Sequence, residues 1–198
     1  MALCKVTANI GDKECAYALS GVQNIMIANW YPAKFGTTTS PGSTANQIYY
    51  RTEASPSTRI IKAYLPPGES FYPVALADDS GSFSDTLLAG ANGNKYRQHT
   101  VNALLSNVQP DVLMQGDALS LGRFIAVAVR DGVPYLLGRT SGLTAPPGGF
   151  DFNSGAAPAD ANGWTLILQG VSASLIWNFN DLAKVTPIYP AVSILVTP

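Results

Sequence analysis

The stretch RFIAVAVRDGVPYLLGR, from Arg123 to Arg139, decides how this chain is read. Two apolar runs, Arg123–Arg130 and Val133–Arg139, flank the dipeptide Asp131-Gly132. Short apolar runs bounded by turn residues are strands, and Asp-Gly between them is a favoured hairpin turn, because Gly takes positive φ at no steric cost. The same pattern recurs on both sides. Candidate strands are Val22–Asn29, Gln47–Thr52, Thr58–Leu65, Phe71–Leu76, Ser82–Leu88, Tyr96–Leu105, Trp164–Phe179 and Ile188–Val196. The breaks between them draw on 18 Gly and 14 Pro residues among 198. The expected fold is mainly β, a β-sandwich or barrel with one flanking α-helix and long loops, in a single domain over residues 1–198 with an extended C-terminal segment from about Lys184.

The helix is expected over Pro110–Leu121. Pro110 suits the first helical position, Asp111 complements the positive helix start, and Gly122 suits the C-terminal cap. Met114, Ala118 and Leu121 recur at helical spacing, with Val112, Leu113 and Leu119 beside them. Gly116 weakens the helix interior by about 1 kcal/mol relative to Ala, so packing must hold it.

Along Trp164–Phe179 the apolar parity switches. Trp164, Leu166 and Leu168 are even, while Val171, Ala173, Leu175, Trp177 and Phe179 are odd, with Gly170 at the change. A slip of one residue turns every later side chain to the other face, so a bulge or a sheet-to-sheet bend is expected at Gly170. Pro32–Asn46, Ala89–Asn94 and Thr144–Gly163 read as loops, the last an uncommonly long insertion containing Pro146-Pro147-Gly148-Gly149.

Charge is scarce. Only 13% of residues are charged, with six Lys and three Glu, against about 25% in ordinary soluble domains. Hydrophobic content is ordinary at 46%. The apolar content excludes disorder, and a net charge of −1 argues against electrostatic nucleic-acid binding. A surface poor in charge is cheap to desolvate, and interface cores are depleted in charge, so a subunit that covers its flanks with copies of itself is expected. Ala161–Asn180, the longest uncharged hydrophobic-looking stretch apart from Asp160 and Asp181 at its borders, is too polar to span a membrane. Lys5, Asp12, Lys13 and Glu14 interrupt Met1–Cys15, so no secretory signal is expected there and the product is expected to stay in the cytoplasm where it is made.

No assembled chemistry stands out. His99 is the single histidine, and it shares a strand face with Val101, Ala103 and Leu105, which makes it a structural residue rather than a base. Cys4 and Cys15 lack the close spacing of zinc ligands and read as two buried thiols, reduced by default in a cytosolic product, or as a disulfide across an N-terminal hairpin. Asp78, Asp79 and Asp85 form the densest acidic cluster without the ligand spacing of a calcium loop. There is no G-x-S-x-G elbow, P-loop or dinucleotide fingerprint. Trp30, Trp164 and Trp177 read as core or interface packing.

The chain resembles phage tail-tube or major tail proteins of the type found in phages infecting Bacteroidota. The resemblance lies in the Cys4/Cys15 pair, Gly21–Asn29, Gly81–Thr86, Tyr96–Val101, the helix with Phe124–Arg130, Asp131–Gly138, Gly142-Leu143 and Gly163–Gly170. It implies a virion structural protein made in the host cytoplasm. Its subunits would close into rings, commonly hexameric, that stack into a DNA conduit alongside other tail proteins. It implies no catalytic residue, no cofactor and no metal. A lumen that lets DNA slide should be neutral or acidic, which makes Asp78, Asp79 and Asp85 candidate lumen residues. Pro146, Pro147, Gly148, Gly149 and Phe150 are the candidate inter-ring loop, and deleting Gly148–Ala159 is expected to abolish tubes while sparing the folded monomer. A capsid decoration, neck or ring protein would share this composition. A carbohydrate-binding or adhesion module would instead present aromatic residues such as Tyr49, Tyr50 and Tyr64 on one sheet face.

Overall fold

The Asp131–Gly132 hairpin forms: both residues take positive φ, 50° and 74°, as the tight mirror-image turn requires. It joins β8 (Phe124–Arg130) to β9 (Val133–Leu137) in an uninterrupted antiparallel register from Arg130↔Val133 to Ala126↔Leu137. The computed structural model describes residues 21–22, 24–37, 46–54, 59–74, 76, 80–105, 110–154 and 163–179. Ile188–Val196, the segment from Lys184, and Cys4 and Cys15 lie outside them.

The remaining strands are β1 (Asn24–Asn29), β2 (Ala33–Gly36), β3 (Ile48–Thr52), β4 (Arg59–Tyr64), β5 (Tyr72–Val74), β6 (Ser82–Ala89), β7 (Lys95–Leu105), β10 (Phe150–Asn153), β11 (Gly163–Ser172) and β12 (Trp177–Phe179). They build two sheets. The larger has the order β2-β3-β4-β12-β9-β8-β1-β5, and the smaller β10-β11-β7-β6. The fold is thus mainly β and sandwich-like, with one helix, α1 (Pro110–Leu121), at the expected bounds.

Two apolar cores follow from this layering. One lies against the face of the large sheet that carries Tyr50, Ile60, Ile125, Val127, Leu136 and Phe179, and Phe71 closes it. The other fills the space between the sheets, with Ala126, Ala128 and Leu137 facing Val101, Ala103, Leu166 and Leu168. Strand β8 is buried on both sides, its alternate residues feeding opposite cores. That explains why its sequence is continuously apolar rather than alternating.

Several expectations are corrected. Pro32–Asn46 is not all loop, because Ala33–Gly36 pairs in parallel with β3. Phe71–Leu76 shortens to β5, and Phe71 leaves the strand to enter the first core. Trp164–Phe179 is two strands in two sheets: β11 belongs to the smaller and β12 to the larger. The sheet-to-sheet bend exists, but it falls at residues 173–176, after Gly170. Through Gly170 the β11–β7 register runs without a bulge from Trp164↔Leu105 to Ser172↔Arg97. The parity switch is not a change of buried face either, since Val171 and Leu175 are 54% and 58% exposed while Ser172 is buried. Gly170 is required for another reason. A Cβ there would run into the Gly142 carbonyl oxygen and lie 3.1 Å from its carbon.

The helix also packs differently from the spacing. Leu119 is its buried residue, whereas Ala118 is exposed and Leu121 is 87% exposed. The side chain of Met114 lies outside the described residues. Gly116 faces the Phe150 ring, where a Cβ would approach to 3.2 Å, so its helical weakness is tied to close packing on β10.

Candidate functional site

Two features of the smaller sheet stand out: its outer surface with a free edge, and a buried polar junction at one end.

The outer surface follows from the register. Directly paired residues project to the same side, which puts Ser82, Ser84, Thr86 and Leu88 beside Asn102, Thr100, Gln98 and Tyr96. These lie beside Ile167, Gln169 and Val171 of β11. No charged side chain stands on this surface across β6, β7 and β11; Asp151 on β10 marks its far rim. Neutral amides and hydroxyls tie it together, Gln98 Nε2 donating to Gln169 Oε1 at 3.1 Å and Asn102 Nδ2 to Ser82 Oγ at 3.3 Å.

Among the described residues β6 pairs with β7 alone, so its other edge is open along eight residues. Proteins usually blunt such edges with Lys, Pro, bulges or short length. The other edges follow that rule: β5 carries Pro73, while β2 and β10 have four residues each, with Lys34 and Asp151. Strand β6 carries no Lys, Pro or bulge and runs for eight residues; its one charge, Asp85, points inward onto Arg97, and its pairing with β7 is regular from Ser82↔Asn102 to Ala89↔Lys95.

The junction lies where Asp85, His99 and Gly170 stand in one cross-strand row. Asp85 Oδ1 accepts from Arg97 Nε at 2.5 Å, and Asp85 Oδ2 accepts from the Ile176 backbone N–H at 3.0 Å. The fully buried His99 accepts at Nδ1 from the Gly138 N–H at 3.4 Å. Its proton therefore sits on Nε2, 3.8 Å from Asp85 Oδ1, too far for a hydrogen bond. Burial pushes the His99 pKa down, and the Asp85 charge opposes this. Next to Gly138, Arg139 reaches beneath Trp177, with its guanidinium carbon 3.7 Å from the ring centroid, and donates to Ser174 Oγ. Burial lowers its pKa as well. The buried Tyr50 hydroxyl is held well above the ordinary tyrosine range by desolvation, against the pull of Arg139.

This geometry is not that of a nucleophile and its base. One imidazole nitrogen is occupied by a backbone N–H, Ser172 Oγ donates to the Ser174 carbonyl, and Ser174 Oγ accepts from Arg139. Among the described residues no group of three or more His, Cys, Asp or Glu side chains comes together.

No family model, curated protein or solved structure matches the chain. The residues must therefore speak for themselves. Asp78 and Asp79 lie outside the described residues. The Asp85 carboxylate is enclosed and paired with Arg97, because its strand parity turns it toward the sheet interior. The loop Pro146, Pro147, Gly148, Gly149 and Phe150 is held against the smaller sheet. Gly149 N–H closes a tight turn onto the Pro146 carbonyl at 2.7 Å, Gly148 supplies the positive φ, and the Gly149 carbonyl accepts from Ile167 at 2.6 Å. Phe150 then stacks on Trp164 with centroids 4.6 Å apart. This segment is pinned to β11, and a deletion from Gly148 would remove β10 with it, so the folded monomer would not be spared. The residues named for an aromatic platform do not form an exposed one, because Tyr49 and Tyr50 are buried. Arg139, Ser172 and Ser174 were not singled out from the sequence. Only the Gly138-Arg139 ending of β9, a glycine turn carrying a charge into an apolar context, hints at their role.

Proposed function

We propose that this protein is a virion structural subunit, a tail-tube protomer that closes into rings and stacks them into a conduit for DNA. The observation that carries the reading is the smaller sheet: an uncharged outer surface that ends in an open eight-residue edge without Lys, Pro or bulge. An open edge of this kind is a template for pairing with another chain, and heterologous pairing that closes by rotation makes a ring. A neutral lining offers phosphates no cation to pair with, which suits passage of DNA. The low charge of the whole chain and its resemblance to tail-tube proteins support the same reading.

The test is assembly of the purified protein, viewed by negative-stain microscopy beside sedimentation. Rings or tubes are expected from the native chain. The double variant Ser84→Lys/Thr86→Lys places two ammonium groups at the open edge and is expected to sediment as a folded monomer with an unchanged circular dichroism spectrum. A native chain that stays monomeric at high concentration would sink the proposal. Isolated rings that never stack would favour a neck, ring or decoration role in the same particle.

A further inference from the structure

We propose that His99 is a proton-operated latch between the two sheets, released by mild acid. The inference goes beyond the assembly reading and does not depend on it. Across the junction two side chains of the smaller sheet hold backbone amides in the turn after β9 and in the bend that connects β11 to β12. His99 Nδ1 takes the Gly138 N–H of the turn after β9, and Asp85 takes the Ile176 N–H of the bend that leads into β12. Both ties depend on the protonation state of one imidazole.

Protonation puts a hydrogen on Nδ1, so that N–H faces N–H and the buried Gly138 amide loses its acceptor. The new imidazolium also presents Nε2–H to Asp85 Oδ1 from 3.8 Å and competes with Ile176 for that carboxylate. The charged groups around it are Asp85 on β6, Arg97 on β7 and Arg139 in the turn. Two of the three are cations, which leaves one carboxylate to serve three positive groups. The segments freed are the turn at Gly138–Thr140 and the bend at residues 173–176. They are coupled through Arg139 and Ser174, and through Thr140 and Ser172, whose hydroxyls lie 3.4 Å apart.

The direction in pH follows from burial. The folded chain holds the His99 proton more weakly than an ordinary histidine, so the unfolded or opened form binds more protons. Stability is full above about pH 6.5, where the free imidazole titrates, and falls as pH drops below it.

His99 is the one histidine in the sequence, so a single imidazole signal reports the latch. The test is an NMR titration of the full chain from about pH 7.5 to 5, a range in which histidine is the natural titrating side chain. Hydrogen-exchange protection at Gly138 and Ile176 is expected to fall by about tenfold or more as these segments open locally, with the midpoint of the His99 imidazole. His99→Asn places an amide oxygen where Nδ1 stands but cannot titrate, and is expected to keep both amides protected across the range. Loss of protection in that variant over the same pH interval would overturn the proposal. If the variant does not fold, the native chain decides alone: coincident midpoints support the latch, and separate midpoints overturn it.

Discussion

A Gly170→Val variant is expected to lose about 4 kcal/mol of stability or more, at the extreme end of what single substitutions do. The added Cβ would enter the Gly142 carbonyl and press on the Leu143 side chain at 3.1 Å. The neighbour is main chain, and it has little room to yield. Gly142 itself takes a φ of 74° in a turn closed by its N–H on the Gly138 carbonyl at 2.8 Å. Leu143 exchanges both backbone bonds with Phe124, at 2.7 and 2.8 Å. On the other side, Gly170 is fixed by its register with His99. Overpacking against flexible side chains costs about 1–3 kcal/mol, and a rigid backbone obstacle exceeds that. Gly132→Val is the comparison: unlike Gly170 it takes a positive φ, 74°, but a Cβ there meets nothing within 4 Å, so only backbone strain of about 1–3 kcal/mol applies. Urea unfolding followed by circular dichroism measures both. Equal stability of Gly170→Val and the native chain would mean that β11 does not cross Gly142 this closely.

Phe179→Ala is expected to cost about 3–5 kcal/mol, the range for a buried aromatic truncated to a methyl group. Phe179 is 2% exposed and packs in the core with Tyr50, Ile60 and Leu136. It also closes a strand of only three residues, which pairs in parallel with β4 at Ile60 and is antiparallel to β9 at Leu136. So short a strand has few backbone bonds of its own, and its place between β4 and β9 rests on this ring and on the Trp177–Arg139 stack. Domains of this kind have about 5–15 kcal/mol in hand, so the loss should appear as a large fall in the urea midpoint. A change below about 1 kcal/mol, the ordinary surface range, would show that the ring is not seated in this core.

What could be read in advance follows where local chemistry acts alone. Asp131-Gly132 has one cheap conformation between two apolar runs, so the hairpin was legible. Pro110 and Gly122 bracket a helix by backbone constraint, and the helix has those bounds. The side of α1 that packs was not legible, since apolar residues surround it and no single stripe chooses between Leu119 and Leu121. Strands β2 and β10, with the sequences AKFG and FDFN, have no run long enough to signal; they exist because β3 and β11 offer free edges to them. The odd-numbered apolar residues Val171 and Leu175 misled because alternation alone does not say which face is buried, and both of these side chains lie exposed. In the junction, His99 was readable as structural from its strand face. Its partners were not, since Asp85, Gly138 and Ile176 come from three separate segments that only the sheet order brings together.

Strand β8 has one more consequence. Its first six residues are the partition between two apolar interiors, Ile125, Val127 and Val129 serving one and Phe124, Ala126 and Ala128 the other. Neither compartment can be wetted without stripping a wall from its neighbour. Heat should therefore find no intermediate resting point, and the two interiors should melt together.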